Sequence, residues 1–291
     1  MGLPINPSSS NADHDEGKPF FCLNHSVSGG RTDWPEFVLL ASEAGYRGAD
    51  FTSADLERVG VEAAIELLAQ CGVKAGFAKL PVECRLDEAL FEDGFRCLDG
   101  RARDAKRIGC KVMGCSVLPS ADLPFDDYYK ISLTRFKRCA EILEANGLKL
   151  AVEFVSPLHT RRKRAFEFIW NLPQTMDFIS DCGHNTGVLL DVWHWHHSNG
   201  TVAQILNAKS HILHVHLADS AEMAPEQVDD MERLLPGEGV VRWKEFFGAL
   251  RTIEFNGGMS PEVFGSRLKG LSPEACAMLT MEKCKWIWAN Y

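Results

Sequence analysis

Eight short apolar runs, each separated from the next by a longer segment of helical character, constrain the fold of this chain most strongly. The runs are FFCLNHS (20–26), YRGADF (46–51), GVKAGFA (72–78), CKVMGCSV (110–117), LKLAVEFV (148–155), NTGVLLDV (185–192), HILHVHLA (211–218) and GGMSPEVF (257–264). Continuous apolar strands joined by helical crossovers predict a parallel sheet that helices cover on both faces. Eight units of about 34 residues each predict that residues 20–291 form a single α/β domain, a closed (β/α)₈ TIM barrel.

The segments between the runs carry helix signals. Asp33 opens DWPEFVLLASEAG as a typical N-cap, and Gly72 ends ADLERVGVEAAIELLAQCG as a typical C-cap. The last segment, SPEACAMLTMEKCKWIWANY, predicts a closing helix capped by Ser272. A doubly wound open sheet is the competing architecture, but no GxGxxG motif follows the first run, which removes its commonest form.

Composition and charge narrow the class of protein. Of the 291 residues, 45% are hydrophobic and 24% are charged, as in globular proteins. The net charge of −9 argues against a nucleic-acid partner, and the one basic run, RRKR (161–164), is interpreted as a solvated helix start. The sequence has no signal-peptide-like start and no apolar run of membrane-spanning length, so we expect no membrane association.

Two further expectations concern the thiols and the first residues. Ten cysteines at irregular spacings, with no CxxC pair, favour free thiols in a reducing cytoplasm. Residues 1–19 begin with a polar, aperiodic stretch that contains proline and serine, which predicts a flexible N-terminal tail.

Acidic and histidine side chains mark the ends of the last four runs, where a parallel barrel gathers its functional groups. Glu153, Asp191, His216 and Glu262 come from four consecutive predicted strands, so we expect them to converge at the rim. Without a cation, three such carboxylates would repel one another strongly. Three carboxylates and one imidazole predict a site for one divalent ion, Mn²⁺, Mg²⁺ or Co²⁺, with Zn²⁺ also open.

The remaining histidines have simpler interpretations. A histidine within a strand is most often a hydrogen-bonded core residue, which is the interpretation kept for His211 and His214. His196 and His197 precede the turn sequence SNG and are interpreted as surface residues.

The segments LAVEF, LLDVWH, HVHLAD, PGEGVVRW and SPEVF, in this order, resemble the xylose-isomerase-like TIM-barrel superfamily. The resemblance is to its sugar (phosphate) isomerase/epimerase branch, which includes ketose 3-epimerases, hydroxypyruvate isomerase and inosose dehydratases. It implies that Glu153, Asp191, His216 and Glu262 hold one divalent metal, and that the two glutamates are also the acid/base pair. It further implies that His194 is a catalytic residue that contacts a substrate oxygen, and that residues 236–239 form a loop over the site.

Two departures from the ketose 3-epimerases bear on the substrate. Those enzymes place an arginine shortly after the HxH segment, where this chain has Glu222 and a longer insertion, and they carry a second glutamate where it has His159 and Arg161. We therefore expect different substrate recognition, with His159, Arg161, Trp193 and Asp219 as candidate substrate-binding residues beside His194. A ring polyol, a keto-sugar acid and a keto-glycoside all stay open as substrates.

These observations favour a divalent-metal-dependent sugar isomerase or epimerase that acts on a small keto-sugar or related polyol through an enediolate. A metal-dependent lyase that dehydrates a keto-polyol, as inosose dehydratases do, stays open, and so does a non-catalytic sugar-binding barrel. The superfamily's nuclease branch needs histidines on strands two and three and a DxH pair before the GEG loop, which this sequence lacks. The expected partner is a small sugar or polyol; a homo-oligomer is left open.

Overall fold

Eight parallel strands close into a barrel whose order around the wall follows the chain. The structure, a computed structural model, describes residues 17–291, and most of the tail predicted for residues 1–19 lies outside the described residues. The strands are β1 (Phe20–Leu23), β2 (Gly48–Phe51), β3 (Lys74–Lys79), β4 (Val112–Ser116), β5 (Ser120–Ala121), β6 (Lys149–Glu153), β7 (Phe166–Glu167), β8 (Thr186–Asp191), β9 (Ile212–Leu217) and β10 (Gly258–Pro261). The barrel order is β1-β2-β3-β4-β6-β8-β9-β10, closed by β10 on β1, so the predicted TIM barrel is confirmed. The short β5 and β7 pair separately.

Helices join and surround these strands. Within residues 17–291 they are α1 (His25–Ser28), α2 (Trp34–Ala44), α3 (Ser53–Val59), α4 (Val61–Cys71), α5 (Glu88–Arg96), α6 (Leu98–Arg107), α7 (Phe125–Ala145), α8 (Leu158–Arg161), α9 (Leu172–Cys182), α10 (Val192–His197), α11 (Val202–Ala208), α12 (Trp243–Thr252) and α13 (Pro273–Asn290). Short 3₁₀ turns occupy Lys209–His211, Pro225–Gln227 and Asp230–Glu232.

The caps predicted from sequence define the ends of three helices. The Asp33 carboxylate accepts a hydrogen bond from the backbone N–H of Glu36 at the start of α2. Gly72 ends α4 with a φ of 63°, a left-handed conformation that a glycine adopts without steric cost. The Ser272 hydroxyl accepts from the Ala275 N–H, which begins the closing helix α13.

Strand register brings the chemistry-bearing residues to one level of the barrel. Asp191 in β8 pairs with His216 in β9, so the two side chains leave neighbouring strands side by side. Ala151 and Leu189 lie two positions before Glu153 and Asp191, and alternate residues of a strand share a face. Ala151 and Leu189 pack with Phe77 as a buried apolar layer, which therefore forms the floor beneath the polar rim.

Two further facts concern the described residues as a whole. No helix among residues 17–291 combines the length and the apolar character that crossing a bilayer requires. All ten cysteines are unpaired, and most of them are buried.

Candidate metal centre

Four side chains from neighbouring strands converge at the carboxyl end of the barrel. Glu153 ends β6, Asp191 ends β8, His216 lies in β9 and Glu262 directly follows β10. Each offers one ligand atom, and these atoms all lie within 4.8 Å of one another. The structure thus brings together the four residues that the sequence placed at consecutive strand ends. Their spacing suits a single bound cation, and their role as ligands stays a prediction.

The cluster contains buried polar atoms that lack partners. His216 Nδ1 lies 3.4 Å from Glu153 Oε1 and 3.3 Å from Glu262 Oε2. Among the described residues, neither ring nitrogen of His216 nor Oε1 of Glu153 has a hydrogen-bond partner, although all three atoms are buried. Buried polar atoms are rarely left unpaired, because each one loses its contacts with water. A cation would satisfy these atoms, so the donor set fits a divalent metal.

The electrostatics of the cluster are uneven. Burial raises the pKa of Glu153 above its usual value. Burial acts in the same direction on Glu262, but His216 and the charge of Arg233 together outweigh it and lower the pKa of Glu262. For His216, burial favours the neutral ring, yet Glu262 and Glu153 together outweigh it and raise the His216 pKa well above its usual value. In the metal-free protein, a proton on His216 therefore partly neutralises the carboxylates.

A second positive charge, Arg233, reaches the same cluster. Its Nη1 atom lies 2.7 Å from Asp191 Oδ2 and 3.0 Å from Glu262 Oε2, and its Nη2 atom lies 3.3 Å from His194 Nε2. Burial raises the pKa of Asp191, but nearby positive charge, chiefly that of Arg233, lowers it. This fully buried carboxyl group therefore stays ionised. Arg233 therefore connects two of the candidate ligands with the predicted catalytic histidine.

The guanidinium group of Arg233 is held rigidly. Asp230 accepts hydrogen bonds from Nε at 2.8 Å and lies 2.7 Å from Nη2. The rings of Trp193 and Phe264 lie 4.8 Å and 4.9 Å from its central carbon, so the cation is stacked between two aromatic faces. These contacts leave only 1% of the side chain exposed.

Sequence reasoning missed Arg233. The sequence comparison placed Glu222 where ketose 3-epimerases have an arginine, and Glu222 is exposed and outside the cluster, whereas Arg233, eleven positions later, reaches it. The insertion between β9 and residues 236–239 loops outward and returns, pairing Asp219 with Leu234 before it reaches the PGEG turn. The one hint in the sequence that Arg233 lies near the site was its position three residues before the PGEG turn, which was predicted to lie over the site.

His194 lies beside the cluster, as predicted. It is in the first turn of α10, is 2% exposed, and its Nε2 atom lies 3.9 Å from Asp191 Oδ2. The ring's other side faces Ser156, whose backbone N lies 3.5 Å from His194 Nδ1 and whose hydroxyl donates to the His194 carbonyl at 2.8 Å. Nε2 of His194 therefore points toward the metal ligands, where a substrate oxygen would be within reach.

Trp193 and Asp219 do not occupy the substrate-facing positions predicted for them. Trp193 is 2% exposed and lies behind Arg233. Asp219 is fully buried, and its carboxylate accepts hydrogen bonds from four donors at 2.8–2.9 Å: the backbone N–H groups of Ser220, Gly237 and Val241, and the indole N–H of Trp243. Three of the donors belong to the loop after β9 and the fourth to the first residue of α12, so Asp219 ties that loop to the start of α12.

His159 and Arg161 also lie elsewhere. His159 is exposed on α8 and belongs to none of the clusters described above. Arg161 is the last residue of α8, so the RRKR run ends a helix and does not start one as predicted. The side chain of Arg161 is 17% exposed, and its central carbon lies 4.0 Å from the ring centroid of Trp170. Arg161 lines a cavity between loops that is separate from the four candidate ligands.

The other histidines divide between predicted and unexpected environments. His214 is a hydrogen-bonded core residue, as predicted, with Nε2 2.8 Å from Ser260 Oγ. His211 is exposed in a 3₁₀ turn, so its assignment to the core was wrong. His196 and His197 are half-buried in α10, so the surface assignment was wrong for them; His197 Nε2 lies 3.0 Å from the Ser220 hydroxyl in the loop after β9.

A second acidic group lies close to the first. Asp50, His214 and His216 also offer ligand atoms within 4.8 Å of one another. However, Asp50 already accepts hydrogen bonds from Asn24 Nδ2 at 3.0 Å and from the backbone N–H of Phe77 at 2.9 Å. Because these partners satisfy it, this group fits a structural network of the barrel interior better than a metal site.

The fold and the polar rim together define a TIM barrel with one acidic, histidine-containing centre at the carboxyl end of its strands. The family model described as xylose isomerase-like TIM barrel matches residues 38–283. The chain therefore belongs to the xylose isomerase-like TIM-barrel family, as its motifs predicted.

Individual proteins give more distant likenesses. An inosose isomerase of Bacillus subtilis (strain 168) is 24% identical over 178 residues, which are 60% of this chain and 62% of that protein. The match thus spans less than two thirds of the relative's length. A xylose isomerase domain protein of Alicyclobacillus acidocaldarius superposes with a TM-score of 0.84 at 26% identity, covering 94% of this chain and 98% of the other. An IolI protein crystallised with a zinc atom superposes with a TM-score of 0.82 at 19% identity, over 94% and 99% of the two chains, which shows the shared fold.

Proposed function

We propose that this protein is a divalent-metal-dependent isomerase or epimerase of a small keto-sugar or a related polyol. The observation that carries the proposal is the convergence of Glu153, Asp191, His216 and Glu262, with buried donor atoms that lack partners among the described residues. Membership in the family and the likeness to an inosose isomerase support the reaction class.

The four residues would hold the metal from an arc of adjacent strands. Glu153 and Glu262 would bind from the two ends of the arc, with Asp191 and His216 between them. Oxygen and imidazole donors suit Mn²⁺, Mg²⁺ or Co²⁺, and the zinc atom of the IolI structure makes Zn²⁺ a further candidate. When bound, such an ion polarises a substrate carbonyl and a neighbouring hydroxyl, which lowers the pKa of the α-proton.

The two glutamates would move the proton. A carboxylate at one end of the arc would remove the α-proton to form an enediolate, and the carboxyl group at the other end would return a proton to the opposite face or to the adjacent carbon. Glu153 and Glu262 lie 3.4 Å and 3.3 Å from Nδ1 of His216, so both carboxyl groups adjoin the same proposed metal-binding side chain. Both would then lie within reach of one substrate carbon.

His194 and Arg233 would stabilise the charge that develops on the substrate oxygens. The guanidinium group is fixed by Asp230 and two aromatic faces, so it would not need to reorganise during the reaction. The Nε2 atom of His194 lies 3.3 Å from Arg233 Nη2, so the two groups could address the same oxygen.

The substrate class that suits this polar, largely buried site is a polyhydroxylated ketone. A polyhydroxylated ketone would supply the carbonyl and the adjacent hydroxyl, and an inosose is the first compound to test because the relative is an inosose isomerase. A lyase that dehydrates a keto-polyol is the alternative enzyme, since it would use the same enediolate. A complete ligand set argues against a non-catalytic sugar-binding barrel. The unpaired cysteines favour a reducing cytoplasm as the place of activity.

The test is metal reconstitution with a panel of substrates. The protein is stripped with EDTA, reloaded with Mn²⁺, Co²⁺, Mg²⁺ or Zn²⁺, and assayed on inososes and ketoses by NMR. We expect activity to disappear on chelation and to return with metal, and Glu262→Gln to stay inactive. Full activity of the stripped protein would contradict the metal role. A metal-loaded protein that binds a polyol without turnover would favour the non-catalytic alternative.

A further inference from the structure

Strand β3 lies directly across the barrel from β9, the strand that carries His216. The two strands are four steps apart around the closed wall in either direction. Phe77 of β3 spans the interior, since its ring centroid lies 5.1 Å from that of His214 and 6.0 Å from that of His216. Side chains on the Phe77 face of β3 therefore enter the barrel opposite the proposed ligand arc.

Lys79, the last residue of β3, leaves the strand on this inner face. It lies two positions after Phe77, and alternate residues of a strand share a face. Strand register gives the same result independently, because Lys79 pairs with Gly114 and Gly114 pairs with Ala151, which packs with Phe77 inside the barrel. Lys79 is exposed, so its side chain extends from the apolar floor toward solvent at the mouth of the barrel.

The ammonium group of Lys79 is available to a ligand. Among residues 17–291 it has neither a hydrogen-bond partner nor a carboxylate at ion-pair distance. Glu83, the acid whose charge interacts with it, is held by Arg85, whose Nε and Nη2 atoms each donate to one of its oxygens at 2.7 Å. Arg233 is likewise paired with Asp191. Of these three cations, Lys79 is the one free to take a further acceptor.

A cation at this position departs from the usual filling of a barrel. Inward-facing positions of such barrels are mostly occupied by bulky apolar side chains, and the layer around Phe77, Ala151 and Leu189 follows that pattern. A free lysine on an outer surface needs no special explanation, but Lys79 faces the space in which the proposed substrate would lie. A substrate whose carbonyl and hydroxyl oxygens face the ligand arc extends away from it toward β3, so its far end meets Lys79.

We propose that Lys79 binds a carboxylate at this far end of the substrate, which makes the substrate a keto-sugar acid and not a neutral polyol. The inference rests on the proposed metal-dependent reaction and specifies its substrate class. The Nζ ammonium group donates to a carboxylate oxygen and so fixes which end of the molecule reaches the glutamates. One free cation matches the single charge of a carboxylate better than that of a phosphate monoester, which carries about −1.5 to −2 charges at neutral pH.

The test compares uronates with neutral ketoses of the same carbon skeleton. Fructuronate and tagaturonate carry a carboxylate where fructose and tagatose have a terminal hydroxymethyl group. Turnover by the Mn²⁺-loaded full chain is followed by NMR, and calorimetry gives the Kd of any compound that binds without turnover. We expect at least one uronate to have a KM or Kd about tenfold or more below that of its ketose, the effect of one charge-assisted hydrogen bond. Fructose 6-phosphate is the third probe and should gain less from Lys79 than the uronate does.

Variants at the two ends of β3 locate the effect. Lys79→Met should raise the KM or Kd of the uronate about tenfold, with little change in kcat, and should leave the neutral ketose unaffected. Lys79→Arg keeps a cation and should restore much of the affinity. Lys74→Met removes an exposed lysine from the other end of the same strand and should change neither value. Circular dichroism checks the fold of each variant.

Three results would overturn the inference: no uronate that binds more tightly than its ketose, uronate binding by Lys79→Met equal to that of the wild type, or a dependence on Lys79 confined to fructose 6-phosphate. Failure of the proposed reaction itself would look different, because the metal-loaded protein would then turn over none of these compounds. The calorimetric Kd values of the uronates would still decide the role of Lys79 in that case.

Discussion

Nη1 of Arg233 lies 2.7 Å from Oδ2 of Asp191, and both side chains are closed to solvent, with exposed fractions of 1% and 0%. The same nitrogen lies 3.0 Å from Glu262 Oε2. Two of the candidate metal ligands therefore share one internal cation. Breaking a buried ion pair by removing one partner typically costs about 3–5 kcal/mol, because the other charge is left uncompensated. Arg233 thus stabilises the acidic cluster whenever the metal is absent.

Arg233→Met should accordingly lower the free energy of unfolding of the metal-free protein by about 3–5 kcal/mol. The loss should be smaller with saturating Mn²⁺, because the ion then neutralises Asp191 and Glu262. Urea denaturation with EDTA and with Mn²⁺ measures both values. Arg162→Met, an exposed charge removal in the same chain, should change stability by less than about 0.5 kcal/mol. An equal loss for Arg233→Met under both conditions would contradict the proposed charge balance.

Metal binding and turnover should separate between two histidines. His216→Ala removes a proposed ligand from the cluster, so the variant should lose tight Mn²⁺ binding. His194→Ala should keep the metal and lose turnover, because His194 is not one of the four proposed ligands: its Nε2 lies 3.9 Å from Asp191 Oδ2 and 3.3 Å from Arg233 Nη2, where it would contact a substrate oxygen. Calorimetric Mn²⁺ titration and an activity assay on both variants give the comparison. If His194→Ala loses the metal as completely as His216→Ala does, this division of roles is wrong.

The pH dependence of metal binding should follow His216. Because Glu262 and Glu153 outweigh burial and raise the pKa of His216, the metal-free protein keeps a proton on this ring at pH values where an ordinary histidine is neutral. A metal must displace that proton, so its affinity should increase as pH rises through the raised pKa and then level off.

The raised pKa of His216 also makes the stability of the metal-free protein depend on pH. A histidine with a raised folded-state pKa stabilises the metal-free fold most below its ordinary pKa, and this contribution is lost as pH rises through the raised value. The gap in melting temperature between Mn²⁺-loaded and metal-free protein should therefore widen with pH. His211→Gln, at an exposed histidine, is the control that should leave the gap unchanged. A gap that does not vary with pH in the wild type would be inconsistent with a protonated His216.

Much of this centre could be predicted from the sequence, because strand geometry is local. Once the eight runs are strands, register and alternation fix where Asp191 and His216 end up, and the pairing of these two residues shows it. Helix caps such as Asp33 were predictable for the same reason, since a cap needs only residues three positions apart.

The features that could not be predicted depend on contacts between the site and a loop that leaves the barrel and folds back onto it. Arg233 reaches the cluster only because the insertion after β9 folds back, and nothing in its local sequence fixes that path. Asp219 illustrates the reverse error. An acid just after the strand that carries His216 was predicted to bind substrate, whereas the structure surrounds it with donors from the following loop and from the start of α12.

This loop gives a further prediction. Asp219→Ala would leave four N–H donors without their acceptor, three of them in buried hydrogen bonds, and each buried unsatisfied donor costs about 1–3 kcal/mol. We expect a strong loss of stability and rapid proteolysis within residues 219–242. Gly239→Ala should loosen the same loop, because its new Cβ would come within 2.1 Å of the Ser220 carbonyl oxygen. Gly248→Ala, where a Cβ meets no heavy atom within 4 Å, is the matched control and should be neutral in the same limited-proteolysis assay.

The last prediction distinguishes an isomerase from a lyase. Both reactions begin with removal of an α-proton by a glutamate, so in D₂O both should place deuterium into recovered substrate or product. An isomerase then returns a proton through Glu153 or Glu262, so product and substrate have the same mass in ordinary water. A lyase uses the protonated glutamate to expel a β-hydroxyl, which gives a conjugated product lighter by one water. We expect a product of unchanged mass, as an isomerase gives, because Glu153 and Glu262 both adjoin His216 and suit removal and return of a proton. Mass spectrometry and ultraviolet absorbance on inososes and ketoses decide the matter: loss of water with a new enone band would establish the lyase.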